Sequence, residues 1–139
     1  QHFVQNAEGS SAEQAVVDVD GDGVCEIAAD CLDGSLRCYS GADGSLKWSR
    51  PIAPGTSNIA AADIDSDGIV DFVLRTGDGG LRAFRGTGGE QIWELHIGGS
   101  GHPILADCDS DGLLEILLVT SDGRLKAIDQ RVLAGGETQ

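Results

Sequence analysis

The stretch Asp18-Val19-Asp20-Gly21-Asp22-Gly23-Val24-Cys25-Glu26 decides how this chain is read. Two later stretches repeat it position by position: Asp63-Ile64-Asp65-Ser66-Asp67-Gly68-Ile69-Val70-Asp71 and Asp107-Cys108-Asp109-Ser110-Asp111-Gly112-Leu113-Leu114-Glu115. Each carries carboxylates at positions one, three, five and nine and glycine at position six. Their first aspartates lie 45 and then 44 residues apart. A fixed period of this size marks a repeat architecture.

The likeness extends outward from the loops. An apolar run precedes each one: Ala15–Val17, Ile59–Ala62 and Ile104–Ala106. Another follows: Ile27–Ala29, Phe72–Leu74 and Ile116–Val119. Next comes an Asp-Gly turn at Asp33-Gly34, Asp78-Gly79 and Asp122-Gly123, then Leu36–Tyr39, Leu81–Phe84 or Leu125–Ile128. In the first two units a second Gly-rich turn leads into a run ending near Trp48 or Trp93. Short runs punctuated by such turns read as strands joined by hairpins, and no helical periodicity is sustained. The expectation is an all-β chain of three tandem four-stranded propeller blades. It forms a single repeat domain over 1–139, with units near 12–50, 57–97 and 102–130. The third unit lacks a Trp-bearing run, while Phe3 precedes Asp18 as Trp48 precedes Asp63. A strand at 2–6 is therefore expected to complete the last blade, in its own chain or a neighbouring copy. Three blades fall short of the roughly four to eight of closed propellers. The working form is then a homo-oligomer, a filament, or part of a longer propeller. The absence of methionine behind Gln1 points to a processed chain or a piece of a longer one.

The repeated loop has the chemistry of a calcium site. Ca²⁺ takes about six to eight oxygen ligands, and a loop with carboxylates at alternate positions can curl to present them to one centre. The expected ligands are Asp18, Asp20, Asp22, the Val24 carbonyl and Glu26 in the first loop. In the second they are Asp63, Asp65, Asp67, the Ile69 carbonyl and Asp71. In the third they are Asp107, Asp109, Asp111, the Leu113 carbonyl and Glu115. The twelfth position, a bidentate Glu in EF-hands, is Ala29, Leu74 or Leu118. Position nine closes the cage instead, which frees the following residues to enter a strand. The bland alternative is a solvated acidic turn, but four carboxylates within nine residues repel strongly unless neutralised. Twelve of the 23 acidic residues lie in these loops. Three Ca²⁺ would add six charges and bring the net from −14 to −8.

A net charge of −14 makes nucleic acid and anionic membranes poor partners. No apolar run approaches the roughly 18 residues of a membrane helix. Cys25, Cys31, Cys38 and Cys108 form no C-x-x-C pair, which argues against zinc. Cys31 and Cys38 flank the Asp33-Gly34 turn, and the sequence leaves open whether they bond across it or stay as buried thiols. His2, His96 and His102 belong to no recognisable catalytic constellation. Trp48 and Trp93 are expected to dock one blade on the next rather than to serve as sugar platforms.

The loops, followed by Ile27-Ala28-Ala29 or Phe72-Val73-Leu74, resemble the FG-GAP/VCBS repeats of β-propellers. The segments Gly34–Trp48 and Gly80–Trp93 also resemble the repeats of pyrroloquinoline-quinone-type propellers. The first resemblance covers nearly the whole chain. It implies an extracellular or periplasmic propeller with calcium under each blade, serving adhesion, carbohydrate binding or assembly. The expected function is a non-enzymatic, calcium-stabilised module for binding or self-assembly, with carbohydrate a candidate ligand. The alternatives are the propeller portion of a carbohydrate-active enzyme, such as a rhamnogalacturonan-type polysaccharide lyase, and a quinoprotein fragment.

Overall fold

The computed structural model describes residues 10–31, 33–52, 57–96, 103–120 and 122–129. Eleven strands and no helix lie among them. β1 (Ser10–Val17), β2 (Glu26–Cys31), β3 (Ser35–Ser40) and β4 (Leu46–Pro51) form one sheet in chain order. β5 (Ser57–Ala62), β6 (Asp71–Arg75), β7 (Gly80–Arg85) and β8 (Gln91–His96) form the second. β9 (Ile104–Ala106), β10 (Glu115–Val119) and β11 (Leu125–Asp129) form the third, which has three strands among the described residues. The strand expected at 2–6, His2, His102 and the tail from Arg131 lie outside the described residues.

All pairings are antiparallel, and the register repeats from sheet to sheet. The position-nine carboxylate opens each second strand. Glu26, Asp71 and Glu115 pair with Val17, Ala62 and Ala106 on one side. They pair with Ser40, Arg85 and Asp129 on the other. The Asp-Gly turns are equally regular. Gly34, Gly79 and Gly123 sit at φ of 85°, 86° and 82°. The left-handed region is open to glycine at little cost, so these hairpins close without strain.

Period-two alternation sorts the side chains of the middle sheet onto its two neighbours. Phe72, Leu74 and Phe84 face the first sheet and pack with Val19, Ala28, Leu36, Cys38 and Trp48. Val73, Leu81, Ala83 and Leu95 face the third and pack with Ile116 and Leu118. All five residues of β6 are buried, and between Asp71 and Arg75 it is apolar on both faces.

The seam between the first two sheets carries a specific lock. Trp48 is buried, and its ring lies 6.2 Å from that of Phe72. Its Nε1–H donates to the Gly86 carbonyl at 2.8 Å. Arg50 Nε and Nη2 donate to the carbonyls of Gly89 and Gly88, each at 2.8 Å. A Cβ on Gly89 would come within 2.5 Å of the indole, so only glycine admits the ring. The docking role expected of Trp48 is thus what the structure shows. Trp93 is also buried between sheets, yet its Nε1–H has no acceptor among the described residues. Leu95 stands where Arg50 stands in the first sheet, and it is buried in the apolar seam.

All four cysteines are free. Cys31 pairs in register with Ser35, and Cys38 with Ala28. The two thiols are therefore offset by three residues along β2 and do not face each other, so the open question of a bond closes in favour of buried thiols. Burial pushes the Cys38 thiol up to about 12.

Replacing Trp48 with Phe would leave the Gly86 carbonyl without its donor, at a cost of about 1–2 kcal/mol. Trp48→Ala would add a cavity, for a total of about 3–5 kcal/mol. Trp93→Phe removes no hydrogen bond and should cost less than Trp48→Phe. Urea denaturation of the three variants checks the order.

Candidate metal centre

Each acidic loop is wired by the same four hydrogen bonds. The first aspartate folds over the loop: Asp18, Asp63 and Asp107 Oδ2 accept from the N–H of Gly23, Gly68 and Gly112 at 2.8, 2.8 and 3.0 Å. Their Oδ1 atoms accept from the position-five N–H at 3.2, 3.1 and 3.1 Å. The position-five carboxylates take the N–H of Val24, Ile69 and Leu113 at 2.8, 2.9 and 2.9 Å. The position-nine carboxylate accepts from the position-two N–H: Val19 to Glu26 at 2.9 Å, Ile64 to Asp71 at 3.1 Å, and Cys108 to Glu115 at 2.6 Å. Asp and Asn favour such short-range bonds to their own backbone, which is why the segment turns here and does not extend.

Two positions per loop need a left-handed backbone. Gly23, Gly68 and Gly112 at position six have φ of 89°, 86° and 87°. A Cβ at any of them would meet nothing within 4 Å, so conformation alone selects glycine. Position four is also left-handed: Gly21 at 78°, Ser66 at 60° and Ser110 at 62°. The sequence reading missed this second site. The Gly/Ser interchange at position four was the available signal.

The same folding brings one oxygen of each of several carboxylates close together. Ligand oxygens of Asp63, Asp65, Asp67 and Asp71 lie within 4.8 Å of one another, and so do those of Asp107, Asp109, Asp111 and Glu115. In the first loop the group is Asp18, Asp20 and Asp22. The expected fourth member, Glu26, is buried, and its Oε1 lies 3.3 Å from Lys47 Nζ. The position-seven residues Val24, Ile69 and Leu113 stand at the loop exits and give their N–H groups to position five, as described.

The family model of the FG-GAP-like repeat matches residues 18–74 and 63–118. The chain belongs to the FG-GAP-like repeat family. No curated protein matches it in sequence. Among solved structures, this FG-GAP-like chain is similar to three β-propeller proteins. BBS1N, solved in complex with ARL6DN, shares 12% identity at a TM-score of 0.63, over 89% of this chain and 42% of that one. The V. cholerae biofilm matrix protein Bap1 shares 26% identity at 0.62, over 84% of this chain and 23% of that one. BamB from Moraxella catarrhalis shares 18% identity at 0.54, over 83% and 33%. The FG-GAP-like chain thus spans less than half the length of each.

The donor set of the FG-GAP-like loops fits a hard divalent cation. All the clustered atoms are carboxylate oxygens, which suit calcium or magnesium better than soft metals. Two oxygens are decisive. Asp71 Oδ1 and Glu115 Oε1 are buried and have no hydrogen-bond partner among the described residues. Burial, then the nearby Asp65 and Asp67 carboxylates, push Asp71 up to about 7 against the Ile64 N–H that favours its charge. With its folded value raised, Asp71 contributes stability below the ordinary carboxylate range near 4, and this is lost as pH rises through about 7. A bound dication would remove that penalty.

Replacing Gly68 with Ala, at φ 86°, should destabilise the FG-GAP-like fold by about 1–2 kcal/mol, whereas Ser66→Gly should be neutral or stabilising. Asp71→Asn should raise the metal-free melting temperature at neutral pH and reduce, by the share of one site in three, the further rise on adding calcium. Differential scanning calorimetry with chelator and with calcium reads both.

Proposed function

We propose that this chain is a calcium-stabilised extracellular β-propeller module for binding or self-assembly, with no catalytic step of its own. One observation carries the reading: Asp71 Oδ1 and Glu115 Oε1, buried and unpartnered within clusters made only of carboxylate oxygens. Burying an unpaired anion costs several kcal/mol, and neutralisation by a bound cation is a general remedy. Asp18, Asp20 and Asp22 would hold the first ion, and Glu26 would join them only by giving up its contact with Lys47 Nζ. Asp63, Asp65, Asp67 and Asp71 would hold the second, and Asp107, Asp109, Asp111 and Glu115 the third, with the carbonyls of Val24, Ile69 and Leu113 completing the sets. Calcium bound there would supply charge neutralisation and cross-linking of each loop to its second strand. Magnesium suits the site less well, because it keeps its waters and demands stricter octahedral geometry.

The family and the likeness to a biofilm matrix protein support an extracellular setting. The third sheet supports assembly. Among the described residues nothing pairs with the outer edge of β11, and Leu125 and Val119 are exposed beside it. An unpaired strand edge recruits another strand. The partner in this reading is a further copy of the chain or the rest of a longer propeller.

Titration calorimetry should give about three Ca²⁺ per chain, and EDTA should lower the melting temperature. Linkage gives about 2.7 kcal/mol per site at a hundred-fold excess over Kd. An unchanged melting curve in chelator with no binding heat would sink the calcium reading. Light scattering should give a multiple of the monomer mass, and a folded monomer would overturn the self-assembly arm. No cleavage of pectin is expected, and turnover would favour the lyase alternative.

A further inference from the structure

The three loops share their wiring but not the residue that faces position nine across the sheet. Glu26 faces Ser40, Asp71 faces Arg85, and Glu115 faces Asp129. In the middle blade a guanidinium is therefore delivered to the mouth of the loop. Arg85 Nη1 lies 2.5 Å from Asp67 Oδ2 and 3.2 Å from Asp65 Oδ2. Its backbone is held firmly, because its N–H donates to the Glu90 carbonyl and its own carbonyl accepts from Gly89, both at 2.8 Å. The turn that follows is the one gripped by Trp48 and Arg50.

The guanidinium reaches two of the four carboxylates and no further. Asp71 Oδ1, buried in the same cluster, has no hydrogen-bond partner among the described residues. Arg85 thus neutralises the rim of the loop and leaves its floor for a small ion. A guanidinium and a divalent cation cannot both take the Oδ2 atoms of Asp65 and Asp67, since like charges repel at this range.

We propose that Arg85 is a tethered counter-ion of the middle loop: it holds Asp65 and Asp67 when calcium is absent and leaves them when calcium binds. This rests on the reading of the loops as calcium sites. Its consequence is local. The Val70 N–H, at the exit of the middle loop, donates to the Val19 carbonyl of the first loop at 3.0 Å. By keeping the middle loop closed without metal, Arg85 keeps this junction between the first two blades in place. The middle site gives up calcium affinity in exchange.

The test uses the full chain, with calcium titration calorimetry and hydrogen exchange in EDTA. Arg85→Gln should raise the affinity of one site on the order of tenfold, the scale of one nearby exposed charge. In EDTA it should speed exchange of amides 64–70. Arg85→Lys, which keeps the charge but not the fork, should fall between. The reciprocal variant Ser40→Arg should weaken the first site by a similar factor. Should the wild type bind three ions while Arg85→Gln changes neither the isotherm nor the exchange, the proposal is overturned. If Arg85→Gln does not fold, an unchanged first site in Ser40→Arg overturns it equally. A wild type that binds no calcium defeats the calcium reading itself, and its own isotherm tells that failure from the other.

Discussion

A buried carboxylate at the first residue of each central strand governs the rest of this architecture. Glu26, Asp71 and Glu115 are 1%, 0% and 6% exposed. Each accepts the N–H at position two of its loop, and so ties the exit of the first strand to the start of the second. That bond sets how far the acidic loop projects and where the hairpin register begins. The register is then common to all three sheets, down to the residues on either side of the carboxylate. Moving it by one residue would exchange the residues that β6 presents to its two neighbouring sheets, putting Val73 where Phe72 and Leu74 pack. A charged group this deep is costly unless compensated. The first two blades compensate differently, with Lys47 beside Glu26 in the first and Arg85 over the aspartates of the second, while Glu115 Oε1 of the third has no hydrogen-bond partner among the described residues.

The seams between blades follow a different logic. Both are apolar, built from alternating residues of a sheet covered on two sides. The first adds a polar lock, in which an indole and a guanidinium take three carbonyls of one glycine turn. The second has an indole with no acceptor and a leucine in place of the arginine. An unmet buried N–H costs about 1–3 kcal/mol. The second seam therefore depends more heavily on area and shape than the first.

Much of the fold was legible in the sequence because the repeat is local and strict. Strand positions, the Asp-Gly hairpins and the docking of Trp48 all followed from runs and turns a few residues long. The acidic clusters were legible for the same reason, since their geometry is made within nine residues. What escaped the sequence depends on longer reach or on register. Glu26 was expected in the first cluster, yet Lys47, 21 residues on, holds one of its oxygens. Cys31 and Cys38 flank a turn, and only the pairing register shows that they miss each other. The left-handed backbone at position four was masked because serine tolerates it in two loops of three.

The lock on the first seam has one property that its strength does not convey. Trp48 and Arg50 address only main-chain carbonyls, and the turn offers them through its glycines and not through any distinctive side chain. The first blade carries a turn of the same build. Gly41 and Gly44 match Gly86 and Gly89, φ is 75° at Gly44 against 77° at Gly89, and the closing hydrogen bonds have the same lengths. The joint is therefore written in backbone shape. A blade with the indole and guanidinium at these two positions can be set against any blade that keeps the glycine turn, whatever else either one carries. Such a coupling lets a chain lengthen by copying whole units, because a duplicate of the first blade arrives with both halves of its fitting already made.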